Sequence, residues 1–408
     1  MRKTTLIRGM AALATILLCV SAAPATERAE ATPALSPVVE APASAAKPLV
    51  QIAILLDTSG SMSGLIDQAR TELWSIVNEF IFARQKGRQP EVQVALYEYG
   101  NNGLSAKTGW IRQIVPLTTD LDSVSEKLFA LTTNGGDEYC GWVIREATQK
   151  LAWSDSPNDL KVIFIAGNEP FTQGPVDYRE TCKAAIAEGI IVNTIHCGTE
   201  GAGLNGKWKD GAILADGRYL NIDHNSQVVH IPAPQDAEIA ALSTRLNDTY
   251  VPYGRTGQAA QERQMEQDSN AIQTSPQSTI QRAVTKSSAN YVNTGWDLVD
   301  GVRAGQVDLE AVEDEELPEN MREMDAKQRR SYVSAKAAER ARIQAKIQKL
   351  NEQRSRFIAE ETKKQQKGPQ TLGSAVKEVI REQAAKKNYS FKPAREAPEQ
   401  SRDTSETK

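Results

Sequence analysis

Ile52-Ala-Ile-Leu-Leu56-Asp57-Thr-Ser59-Gly-Ser61-Met-Ser63-Gly64 is the stretch of this 408-residue chain that decides its fold. A short apolar run of this kind, broken by small polar residues, reads as a buried strand ending in a loop. A long helical pattern follows over 62–84, with Leu65, Ile66, Ala69, Leu73, Ile76, Val77, Phe80 and Ile81 on one face. That is the period of a helix packed on a sheet. The loop therefore sits at the C-terminal tip of a buried strand, where open α/β sheets bind ligands. Its spacing, Asp-x-Ser-x-Ser, can aim Asp57, Ser59 and Ser61 at one point. These are hard oxygen donors suited to Mg²⁺ or Mn²⁺, with none of the imidazole or thiolate that zinc prefers.

Outward from this stretch the chain alternates apolar runs with helical patterns, the order expected of a mostly parallel sheet between helices. Strands are predicted at 50–56, 92–99, 110–115, 161–166, 190–196 and 219–222. Further helices are predicted after Asp120, from about Cys140 to Leu151, from about Asp177 to Glu188, and after Pro234. The segment from Trp208 to Tyr219 reads as a loop before the last strand. The fold class is thus a Rossmann-like, doubly wound, mostly parallel six-stranded sheet with a largely helical C-terminal extension.

Composition divides the rest. Residues 26–47, rich in Ala, Pro, Ser and Glu, read as a disordered leader, and the main domain spans 48–247. Residues 248–295 are a polar linker or a docked segment, with Trp296-Asp-Leu-Val as an anchoring point. The extension covers 296–390 and includes a long helix near 322–366, on which Ile343, Ile347, Leu350 and Phe357 keep a 4-3 spacing for about two heptads. That is short of a coiled-coil signature, so a solvated helix lying partly on the domain and a dimer seam both stay open. Pro369 separates it from a short amphipathic helix with Leu372, Val376, Val379 and Ile380, and 391–408 is a polar, disordered tail.

Residues 1–25 carry Arg2, Lys3 and Arg8, an apolar stretch from Met10 to Val20, and Ala23-Pro-Ala25, the pattern of a cleaved secretory signal. The apolar stretch is shorter than the roughly 20 residues of a membrane span. Leu18 before Cys19 is bulkier than a lipoprotein signal carries. The expected location is periplasmic or secreted. Cleavage would move the formal net charge from −4 to −7, which argues against nucleic-acid binding. The mature chain keeps Cys140, Cys182 and Cys197, an odd number, so an oxidising compartment allows at most one internal disulfide among them.

The Asp57-x-Ser59-x-Ser61 loop, its strand and helix flanks and the order of elements resemble the von Willebrand factor type A domains, the family that includes the integrin inserted domains. The resemblance covers about 48–247 and implies a metal-ion-dependent adhesion site built from this loop and two later ones. The family's second motif, a Thr in a Gly-Gly-Thr-like turn, corresponds to Asn134-Gly-Gly-Asp137-Glu138, so Asp137 is the expected fourth ligand. A turn in which Asp137 only caps the next helix is the competing reading. The third motif, Thr-Asp-Gly after the fourth family strand, corresponds to Ala166-Gly167-Asn168-Glu169, so Gly167 stands where the family has Asp. Asn168 or Glu169 would then act from the outer shell. The ion, Mg²⁺ or else Mn²⁺ or Ca²⁺, would keep open places, and a protein partner presenting a carboxylate would displace a water from it.

Residues 192–198 and 208–219 also resemble a bacterial exported subgroup of that family with a helical C-terminal extension. On this reading Cys140, Cys182 and Cys197 lie on neighbouring elements and any two could be bridged, Cys140 with Cys182 first. The resemblance implies an exported, metal-dependent protein-binding module for adhesion or complex assembly, and no catalysis. Gly60-Ser-Met-Ser-Gly64 lacks the central Ser of a hydrolase elbow, His196, His224 and His230 are the only imidazoles, and no phosphate-binding loop occurs. The alternative is a metal-independent scaffold or assembly factor acting through the C-terminal helices, with a degenerate metal site. Self-association through the long helix and membership of a membrane-associated complex stay open.

Overall fold

In the computed structural model, which describes residues 47–223, 225, 230–364 and 371–391, the stretch quoted first is the central strand of the sheet. The signal segment, nearly all of the leader, Cys19, His224, Pro369 and all but the first residue of the tail lie outside the described residues. Strand β1 (Leu49–Asp57) leads into α1 (Ser63–Asn78), followed by a two-residue β2 (Arg84–Gln85), β3 (Glu91–Tyr99) and β4 (Ile111–Thr118). Then come α2 (Leu121–Phe129), α3 (Cys140–Lys150), β5 (Leu160–Gly167), α4 (Tyr178–Ala187) and β6 (Ile191–Cys197). The segment expected as loop holds α6 (Trp208–Leu214), preceded by α5 (Glu200–Asn205) and followed by β7 (Tyr219–Ile222).

The six-stranded sheet has the order β4-β3-β1-β5-β6-β7. All neighbours are parallel except β3 and β4, which run antiparallel. All six expected strands form, within three residues of their expected ends. In β1 alternate residues part to opposite faces, as a strand's period of two requires. Val50, Ile52 and Leu56 join a core under α1 and α2, while Ala53 and Leu55 join one under α3, α4 and α6.

Helix α1 ends at Asn78, short of the limit expected at 84, because the chain tightens into successive turns there. This sends Phe80 into the core of the sheet and Ile81 into a separate cluster with the C-terminal helices.

Beyond β7 lie α7 (Asp236–Asn247), α8 (Gly257–Thr274), α9 (Pro276–Lys286), α10 (Leu298–Arg303), α11 (Glu319–Arg322), α12 (Ala326–Lys364), α13 (Leu372–Lys386) and β8 (Tyr389–Ser390), which pairs with β2. The polar stretch read as linker or docked segment is a pair of docked helices. Buried ion pairs hold it in place: Arg282 meets Asp122 of α2 and, at 2.8 Å, Asp268, while Lys286 meets Asp268 at 2.6 Å. Trp296 does anchor, in a cluster with Tyr250, Ile280, Ile343 and Ile347, so Ile343 and Ile347 of the α12 seam are covered by its own chain. Arg340 on α12 pairs with Asp297, two oxygens at 2.5 and 3.0 Å, and with Asp300 at 3.0 Å.

The boundary expected at 247 does not bound the core. Leu372, Val376, Val379 and Ile380 of α13 are buried with Ile52, Phe164 and Ile195 against the sheet, beside α1. The described residues accordingly form one compact unit.

Candidate metal centre

The register of the sheet brings the ends of three strands level. Asp57 pairs with Tyr99, Leu56 with Ala166, and Gly167 with His196, so the loops after β1, β3 and β5 meet at one edge. The first loop is pinned by the Thr58 N–H donating to the Tyr99 carbonyl at 2.9 Å. The loop between α2 and α3 is tied to it by the Asn134 N–H donating to the Thr58 carbonyl at 2.9 Å. The third is held from behind: Trp208 Nε1 donates to the Glu169 carbonyl at 2.8 Å, and His196 Nε2 lies 3.3 Å from the Asn168 carbonyl. His196 is therefore a buried scaffold residue of this loop.

Asp57 is fully buried. Its Oδ1 accepts the Ser59 N–H at 2.8 Å, whereas its Oδ2 has no hydrogen-bond partner. Burial raises its pKa from the ordinary 3.8 to about 6, against the opposing pull of Ser59 and the Asn168 N–H. Ser59 is buried beside it, and Ser61 is exposed at the mouth, where Asn168 Nδ2 donates to its Oγ at 3.1 Å. Asn168 Oδ1 is a second buried oxygen without a donor. A buried acceptor with no donor is costly, and two of them beside two hydroxyls form the donor set a hard divalent cation satisfies. The residues present thus fit such an ion.

Of the expected set, Asp57, Ser59, Ser61 and Asn168 come together. Glu169 is half-buried and acts on Asp57 through its charge. Asp137 does not join them: it is exposed, and Tyr139 donates its hydroxyl to Asp137 Oδ2 at 3.3 Å. Nor does it cap α3, whose N-cap position is Tyr139 with no side-chain cap. The neighbouring Glu138 is instead the buried carboxyl of this loop. Burial, then the charges of Asp57 and Glu169, raise it from the ordinary 4.5 to about 8, while the Ser59 side chain pulls it down. The residue was in view in the sequence, but the choice between two adjacent acids carried no local signal.

Gly167 has a steric cause. A Cβ at that position would lie 2.5 Å from the Tyr99 hydroxyl and 3.0 Å from Asp57 Oδ2, closer than such atoms approach. The Tyr99 hydroxyl, which donates to the Ala166 carbonyl at 2.9 Å, fills the space an acidic side chain would need. Burial holds that phenol well above its usual pKa, so it stays neutral.

Cys140, Cys182 and Cys197 are all buried free thiols, so the expected Cys140–Cys182 bridge is not formed. Burial pushes all three above the usual thiol range, Cys182 to about 12, which disfavours the thiolate that disulfide exchange requires. Among the described residues no three His, Cys, Asp or Glu side chains converge as a metal cage, so the ligand set here depends on hydroxyl and amide oxygens.

Residues 51–206 match the family model described as the von Willebrand factor type A domain. These residues are a von Willebrand factor type A domain. Solved structures similar to the VWA region include the conserved hypothetical protein BatB from Bacteroides thetaiotaomicron, at 18% identity and a TM-score of 0.33, covering 43% of this chain and 91% of that one. A von Willebrand factor type A protein from Catenulispora acidiphila is similar at 16% identity and a TM-score of 0.33, covering 43% and 39%. The pilus adhesin SpaC from Lactobacillus rhamnosus GG, in its open conformation, is similar at 16% identity and a TM-score of 0.32, covering 44% and 28%. No curated protein matches the chain. The VWA match ends at 206, whereas the hydrophobic core that includes this sheet continues to α13.

Proposed function

We propose that this chain is an exported, divalent-metal-dependent protein-binding module, used for adhesion or complex assembly, that performs no catalysis. The observation that carries the reading is the fully buried Asp57, whose Oδ2 has no hydrogen-bond partner while Ser59, Ser61 and Asn168 oxygens gather around the same loop. Asp57, Ser59 and Ser61 would hold Mg²⁺, with Mn²⁺ or Ca²⁺ as the other hard ions of this donor class. When bound, the ion supplies an electrophilic centre with places open to an outside oxygen. The partner is a protein presenting a carboxylate, because an anionic oxygen is the strongest ligand such an ion can recruit from a protein surface. The signal-like residues 1–25 support export, to the periplasm or beyond.

The test is calorimetric titration of Mg²⁺ and Mn²⁺ into the chelator-treated protein, with Asp57→Asn alongside, followed by partner capture with and without chelator. Saturable binding lost in the variant is expected. A folded wild-type protein that takes up neither ion would end the metal-dependent reading.

The metal-independent scaffold reading retains one observation. Met265 and Ile272, 56% and 64% exposed, lie seven residues apart on α8, an apolar pair that α8 leaves on the surface. It requires partner binding that persists in Asp57→Asn.

A further inference from the structure

The two adjacent acids after Gly136 have opposite fates, and the cause lies in a strand end 38 residues upstream of Glu138. Gly100, just beyond β3, has φ +80°, and a Cβ there would lie 2.8 Å from Glu138 Cγ and 3.1 Å from Asp57 Oδ1. The space that a side chain at position 100 would take thus lies between the Glu138 side chain and the Asp57 carboxyl. Any L-residue at 100 would be strained by its φ and would displace one or both carboxyl groups. The backbone of Glu138 is fixed in this position, its N–H donating to Gln173 Oε1 at 2.6 Å. The Ser59 side chain, already a motif residue, acts on both Asp57 and Glu138. Asp137, one residue away, turns outward to Tyr139.

We propose that Glu138, and not Asp137, supplies the second carboxylate of the metal site, standing with Asp57, Ser59 and Ser61 as a direct ligand. This rests on the metal-binding reading above. Two buried carboxyl groups beside each other, one with an oxygen that has no hydrogen-bond partner, are poorly satisfied by the protein alone. A divalent cation satisfies both carboxylates at once and leaves the loaded cluster of Asp57 and Glu138 with no net charge.

The experiment uses the full chain, with Mg²⁺ and Mn²⁺ titrated separately into wild type, Glu138→Gln, Asp137→Asn and Asp57→Asn. Binding is followed by calorimetry and by loss of the free-Mn²⁺ paramagnetic resonance signal. Even a removed outer-shell partner weakens metal affinity about 10- to 100-fold, so Glu138→Gln is expected to lose at least about tenfold. Asp137→Asn is expected to stay within about twofold of wild type. A second readout needs no metal: Glu138→Gln, which removes a buried ionisable group and keeps its shape, should melt at least as high as the metal-free wild type and lose the upward shift that Mg²⁺ gives the wild type. The proposal is overturned if wild type binds and Glu138→Gln binds equally well, or if Asp137→Asn is the variant that loses affinity; the Asp57 reading survives either result. Absence of binding in wild type overturns both.

Discussion

If Asp57 and Glu138 hold the ion together, metal and protons compete for them, and the competition can be counted. In the metal-free protein burial raises Asp57 to about 6 and Glu138 to about 8. At pH 7 Glu138 is therefore about 90% protonated and Asp57 about 90% ionised, so a dication that requires both carboxylates displaces roughly one proton. Apparent Mg²⁺ affinity should fall by up to about tenfold per pH unit between 8 and 6, and more steeply below 6, where Asp57 also takes up a proton. Stability without metal moves the other way. Both folded-state pKa values lie above the ordinary ones, so between about 4 and 8 the native state holds more protons than the unfolded chain. Its stability is highest at the low end of that window and falls as pH rises. For Glu138 alone, a rise from 4.5 to about 8 corresponds to roughly 5 kcal/mol at about 1.4 kcal/mol per pH unit, before solvent screening at the mouth of the site reduces it. Saturating Mg²⁺ should remove most of that decline, so the stabilisation it gives should grow from pH 6 to 8. The assay is calorimetry at pH 7 in two buffers with different heats of ionisation, with denaturant melts across pH 5–8 with and without the ion. Mg²⁺ binding that releases no proton, with an affinity flat between pH 6 and 8, would refute the reasoning.

Three further outcomes test the frame around the site. Arg340→Ala removes the cation between Asp297 and Asp300 and leaves the buried Asp297 without its cation and Asp300 with only Arg303 at 3.5 Å, which should lower stability by about 3–5 kcal/mol in urea unfolding. Gly167→Asp, which restores the acid type expected from the family resemblance, should destabilise the protein because its Cβ would meet the Tyr99 hydroxyl at 2.5 Å; adding Tyr99→Phe should recover part of the loss in the same thermal melt. Ending the chain before α13 uncovers the sheet where Leu372, Val376, Val379 and Ile380 pack, at about 1.5–3 kcal/mol for each fully buried apolar side chain. The truncated protein should lose its cooperative melt and bind a hydrophobic dye, and an unchanged melt would show that the VWA region closes its core without α13.

What the residues alone determined is local in origin. Six strands and the helices α1 to α4 are legible because apolar runs and 3.6-residue periods are properties of neighbouring residues, and Asp57, Ser59 and Ser61 lie within five positions of one loop. The choice between Asp137 and Glu138 is not local, since it turns on the space left by Gly100 at the end of another strand. The missing acid at 167 looked like a gap in the motif and is a packing solution, because Tyr99 reaches across from β3 to fill it. The polar helices α8 and α9 carry little apolar signal because they dock through buried ion pairs, whose partners Asp122 and Arg282 are 160 residues apart. For the same reason the apolar face of α13 could be recognised in the sequence but its destination could not. Periodicity shows that a face will be buried, and only the folded chain decides that it closes the sheet begun more than 300 residues earlier at β1.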